Sequence, residues 1–188
     1  MQLKYQGPPT TLQHEDIARR IPHQGSMCLL DRVVAWDDRQ ISCEAGSHRA
    51  ASNPLRAHGR LGAACGVEYA AQAMAVHGAL IGEAALPDAS GQSLAPAVGY
   101  LASIRGLTLH VERLDNVGEV LDVRAERLSG DGSTILYSFS LHTGAVLLLS
   151  GRAVVILDAA ALTGTGHAQP SNMQPSSPHP DTGITQNS

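Results

Sequence analysis

The chain has 188 residues, 43% of them hydrophobic, and a formal net charge of −4 from 13 basic and 17 acidic residues. That length suits one folded domain plus a tail, with enough apolar chain for a core. The acidic balance excludes a sequence-wide basic surface for nucleic acid. One Trp, four Tyr and one Phe, scattered from Tyr5 to Phe139, are too few for a base-stacking platform.

Three cysteines, Cys28, Cys43 and Cys65, show no C-x-x-C spacing and read as reduced thiols. Met1 to Asp16 has no apolar stretch behind a basic start, the pattern expected of a cytoplasmic chain. Residues 61–81 are interrupted by Glu68, Gln72 and His77, and residues 145–157 by Ser150 and Arg152. Neither makes the roughly 20 uninterrupted apolar residues of a membrane span.

In chain order, Thr11 to Ile21 carries an apolar stripe that stops at Pro22, predicting a short helix or turn. Leu29 to Trp36 and Ile41 to Gly46 read as strands. Residues 60–81 hold no proline, are rich in alanine and are apolar nearly all round, which predicts a buried helix. Residues 83–96, with Pro87, Gly91 and Pro96, read as a loop, and 97–111 supply at least one strand. Leu121, Val123 and Ala125 alternate with Asp122, Arg124 and Glu126; Tyr137, Phe139 and Leu141 alternate with Ser138, Ser140 and His142. Glycine turns at 130–132 and 143–144 join them into an antiparallel meander that ends at Leu157. Residues 163–188, rich in proline and glycine and nearly free of large apolar residues, are expected to be a disordered tail. One folded unit, 1–162, remains. The fold class is α+β. The economical packing wraps the antiparallel sheet round the long helix, the arrangement called the hot-dog fold.

Glu68 is the odd residue of the helix, since a carboxylate in such surroundings is costly unless paired or protonated. Gln72, four residues on, shares its face and is in reach of a hydrogen bond. Two readings stay open: a narrow solvated stripe, or a working carboxylate. Ala64, Cys65 and Ala75 on the same face weigh against the stripe. Of nine histidines, none forms H-x-H or H-E-x-x-H, so no metal site and no cofactor is expected. His48 and His58 stand out by position, in the irregular stretch that leads into the Glu68 helix, where a base would share a substrate with Glu68. Arg49, Arg56 and Arg60 lie in the same stretch. They read either as ordinary surface charge or as a mouth for a phosphate-bearing substrate or an acidic carrier protein.

Pro22-His23-Gln24-Gly25-Ser26-Met27-Cys28-Leu29-Leu30-Asp31-Arg32-Val33 resembles the opening signature of the β-hydroxyacyl-acyl-carrier-protein dehydratases. Glu68-Tyr69-Ala70-Ala71-Gln72 resembles their central-helix pattern. Asn53-Pro54-Leu55-Arg56 and the segment Glu68 to Gly78 are more narrowly similar to the branch found in aryl-polyene pigment pathways. The resemblance covers about residues 13–157. It implies dehydration of a 3-hydroxyacyl thioester on an acyl carrier protein, with no cofactor. Glu68 is the implied acid, and Gln72, Asn53 and Arg56 orient it or bind substrate. The common Gly-His-Phe-Pro motif is missing, because the position fourteen residues before Glu68 is Pro54. His48, which follows the strand 41–46 and lies upstream of Asn-Pro-Leu-Arg, is therefore the expected base, with His58 as the alternative. The resemblance also implies a homodimer, or a heterodimer with a second dehydratase, in which base and acid come from different subunits. The rival readings are a hot-dog thioesterase and a non-catalytic partner subunit.

Overall fold

A computed structural model describes residues 11–85, 99–130 and 133–157. The expected tail at 163–188, the domain boundary at 162 and most of the 83–96 loop lie outside the described residues.

Among the described residues seven strands form one sheet: β1 (Leu12–Gln13), β2 (Arg32–Trp36), β3 (Gln40–Ala45), β4 (Gly99–Leu109), β5 (Leu121–Gly130), β6 (Thr134–Thr143) and β7 (Val146–Leu157). Their spatial order is β1-β2-β3-β5-β6-β7-β4, with every neighbouring pair antiparallel. The period-two alternation places Val123, Ala125, Tyr137, Phe139 and Leu141 on the inner face, all buried.

Two α-helices occur among the described residues: α1 (His14–Ala18) and α2 (Gly66–Ala85). The stretch expected to be a short helix or turn is both a two-residue strand and the helix α1, which buries Ile17. The long helix starts later and runs further than 60–81. Residues before it are held by pairing instead: Gly62 bridges Arg113, and Ala63–Cys65 form one 3₁₀ turn. Beyond it, Gly82 does not stop the helix, since an isolated glycine weakens a helix by only about 1 kcal/mol. Tyr69, Ala70, Ala73, Val76 and His77 are buried between α2 and the sheet. At Gly66 the helix comes so close that a Cβ would lie 2.3 Å from a Leu149 methyl.

The sheet therefore wraps one long helix, and the hot-dog arrangement expected from the sequence is the one found. β4 forms the edge beside β7. Its Tyr100, Leu101, Leu107 and Leu109 are exposed large apolar residues.

Candidate active site

One face of α2 carries Glu68, Ala71, Ala75 and Gly78, at spacings of three and four residues. These small residues leave room above the helix. A groove of about 420 Å³ runs there, walled by Gly99 and Leu101 of β4 and by Tyr137. Among the described residues its only carboxylate is Glu68, which is joined there by His23 from the segment after α1. A larger hollow of about 700 Å³ lies across the outer sheet face, lined by serines and arginines, with no histidine.

Glu68 is partly open to the groove, its side chain 30% exposed, so it is not the fully buried carboxylate that the helix pattern suggested. It is paired, as the cost of burial required. Gln72 Nε2 donates to Glu68 Oε1 over 3.0 Å. His23 Nε2 lies 3.0 Å from the same oxygen. Gln72 is completely buried and anchored at its far side. Its Oε1 accepts from the Leu29 N–H at 2.8 Å, and its Nε2 also donates to the Met27 carbonyl at 2.7 Å. The expected orienting role of Gln72 thus has a geometry: it ties α2 to residues 27–29.

His48 lies in a 3₁₀ turn after β3 and is fully enclosed. Its Nε2 is 2.9 Å from the Gly118 carbonyl, and its Nδ1 is buried with no hydrogen-bond partner. Burial pushes its pKa below the usual histidine value, partly offset by the Gly118 carbonyl. Among the described residues no hydrogen bond or ion pair joins His48 to Glu68. His58 sits at an exposed turn tip with φ +50°, followed by Gly59 at +74°, between the bridged residues Ala57 and Arg60. Nothing there brings it to Glu68.

Asn53 is buried and holds the loop. Its Nδ2 donates to the Ser47 carbonyl and to the Tyr69 hydroxyl, each at 2.9 Å. Arg56 also turns inward, donating to the Ala50 and Gly59 carbonyls and, at 3.2 Å, to Asp115 Oδ2. Arg49 and Arg60 are exposed; Arg49 stands 3.7 Å from Glu119. Of the signature residues, Asp31 accepts from the Gly46 N–H at 2.6 Å and so fixes the turn that carries His48.

His23 is the groove residue that no sequence pattern singles out as a candidate base. It was visible in the sequence only as part of the Pro-His signature. Its pairing with a residue 45 positions later is not a local pattern. No group of three or more possible metal ligands occurs among the described residues, and no described helix is long and apolar enough to cross a membrane.

Comparison with known proteins identifies the family and the fold. The profile of the ApeP-like family, described as ApeP dehydratase, matches residues 15–163. The structure is similar to the dehydratase heterocomplex ApeI:P from Xenorhabdus doucetiae, with a TM-score of 0.63 and 20% identity, over 84% of this chain and 95% of that one. It is also similar to the thioesterase HI1161 from Haemophilus influenzae, with a TM-score of 0.50 and 12% identity, over 80% and 93% of the two chains. At these identities the likenesses show the fold. A search of curated proteins finds no match.

Proposed function

The chain belongs to the ApeP-like dehydratase family, the aryl-polyene branch that its sequence resembles, and from that premise we propose that it removes water from a 3-hydroxyacyl thioester carried by an acyl carrier protein. The observation that supports this is a carboxylate that accepts from Gln72 and has His23 beside it, the only one among the described residues of an apolar groove sized for an acyl chain. In this reading a histidine takes the proton from the carbon next to the thioester carbonyl. Glu68 gives its proton to the C3 hydroxyl, which leaves as water while the double bond forms. Glu68 stands in the first turn of α2, and the positive end of that helix favours the negative charge developing on the thioester oxygen.

We assign the base to His48 of a paired subunit. Two features support pairing. Within one chain no bond links His48 to Glu68, and the β4 edge carries exposed apolar side chains. Edge strands of this kind invite another strand. The partner is a second copy or a second dehydratase. The enclosure of His48 favours one further reading, in which this chain is the supporting subunit of a dehydratase whose base lies elsewhere.

The experiment is incubation of the protein with a 3-hydroxyacyl carrier protein, alone and with a second dehydratase subunit, followed by intact-mass measurement. Loss of water by the chain alone supports the reading. Loss only with the second subunit fits either account, and His48→Ala in this chain separates them, since unchanged loss of water then supports the supporting-subunit account. Release of free thiol without dehydration points to a thioesterase and overturns both.

A further inference from the structure

The groove beside α2 carries a second charge, far from Glu68. Glu68 stands in the first turn of α2, and the lining follows the helix through Ala71 and Ala75 to Gly78. Met74, Ile135, Val155 and Leu157 make the rest of that wall apolar. Among the described residues the basic side chains of the lining are His23 and Arg20. His23 lies beside Glu68. Arg20 is fixed elsewhere. Its Nε and Nη2 both donate to Glu83 Oε2, at 3.2 and 3.0 Å, and its Nη1 donates to the Asp16 carbonyl at 2.8 Å. Glu83 lies in the last turn of α2, about 22 Å along the helix axis from Glu68 at the helical rise. Residues 20–23 therefore run beside the helix from the Glu83 end to the Glu68 end, and Arg20 holds the far end.

We propose that Arg20, latched to Glu83, is a specificity-determining residue that limits the acyl tail the groove accepts to about a dozen bonds beyond C3. The inference rests on the dehydratase reading above, which places C3 at Glu68. An extended chain advances about 1.2 Å per bond. Gly78 lies about 15 Å along the helix from Glu68, so a tail of that length meets only apolar wall. A longer tail comes to the guanidinium. The Arg20 side chain is 22% exposed and hydrogen-bonded on three of its N–H groups. A hydrocarbon that reaches it must strip the ion pair of its remaining water or push it aside, and offers no hydrogen bond in return.

The test compares 3-hydroxyacyl carrier-protein substrates of eight and eighteen carbons, whose tails stop short of Gly78 or run past it. Arg20→Ala removes the charge and most of the side chain. It should raise the ratio of kcat/KM for the long substrate over the short one by about tenfold. Glu83→Ala leaves Arg20 in place but unlatched, at an exposed helix position where alanine is a good helix former. It should move the ratio in the same direction by less, and it carries the test if Arg20→Ala does not fold. A role in stability alone would lower both substrates alike. A ratio that stays at the parent value in both variants overturns the proposal, as does a parent that takes both lengths equally. Binding supplies a readout without turnover. Calorimetry with amide-linked analogues of both lengths should show the long one gaining affinity in Arg20→Ala relative to the short one. If the parent dehydrates neither substrate while the analogues behave in this way, the dehydratase reading fails and the length limit stands. If dehydration proceeds and neither variant changes the ratio, the length limit fails and the dehydratase reading stands.

Discussion

Asn53 Nδ2 and the Tyr69 hydroxyl meet at 2.9 Å beneath the loop that carries His48. The directions of the neighbouring bonds follow from this contact. The Ser47 hydroxyl donates to the Leu29 carbonyl at 2.7 Å, so the Tyr69 hydroxyl donates to Ser47 Oγ at 3.0 Å and accepts from Asn53. A relay of side chains thus fastens residues 47–55 to the central helix and to the segment that leads into β2. Asn53→Ala removes two donated bonds and the acceptor of the Leu55 N–H. It should cost about 1–3 kcal/mol, read from urea unfolding. Tyr69→Phe should cost less, because it breaks the relay and leaves the ring packed. A neutral result for both would show that the loop is held elsewhere.

Glu68→Gln keeps the shape of the side chain and cannot give up an acid proton. Dehydration should fall by ~10²–10⁴-fold with no change in the unfolding midpoint. His48→Ala should fall by a comparable factor, and the double variant by much less than the product, because both serve one step. His58→Ala, at its exposed turn tip, should be close to the parent. An inactive His58→Ala with a normal His48→Ala would reverse the choice of base.

Gly78 lines the groove, and a Cβ added there meets nothing within 4 Å. Gly78→Leu should project a side chain into that space. Turnover of long acyl substrates should drop while short ones are spared. Loss on both lengths would place the acyl chain outside this groove.

The three arginines of the loop should separate into two kinds. Arg49→Glu and Arg60→Glu alter exposed charges and should raise KM for a carrier-bound substrate more than for a small thioester. Arg56→Ala breaks the contact with Asp115 and should instead lower Tm, by about a few degrees for a chain of this size. A carrier-specific KM effect of Arg56→Ala without loss of stability would return it to the docking surface.

Acid should destabilise the fold in two stages. Burial lowers the pKa of His48, His77 and His142 below 6.5. The unfolded chain then binds more protons in that window, so the stability held above pH 6.5 is lost as pH falls. The Arg113 guanidinium hydrogen-bonded to Asp115 holds its carboxyl well below the usual 3.8, helped by the Leu61 N–H. Its contribution is complete above 3.8 and disappears as pH drops toward its folded value. Urea midpoints measured from pH 8 to pH 3 should fall below about 6.5 and fall again below about 4. A midpoint that rises between pH 7 and pH 5 would contradict the first stage.

Much of the architecture is a local property of this sequence. Alternation in 121–126 and 137–142 dictates strands, because successive side chains leave a strand on opposite faces. The alanine run without proline dictates α2. The pairing of Glu68 with Gln72 is also local, since four residues make one helical turn. Three decisions were not local. Whether Glu68 is buried or open depends on the groove that β4 leaves above Ala71, Ala75 and Gly78. That His23 shares its carboxylate depends on how the chain returns after α1. Arg56 reads in the sequence either as a surface cation or as a substrate-binding residue, and Asp115, 59 residues away, turns it inward. A sequence specifies which side chains need partners; only the folded chain decides which partner is near enough to supply the bond, because hydrogen bonds and ion pairs fall away within a few ångströms.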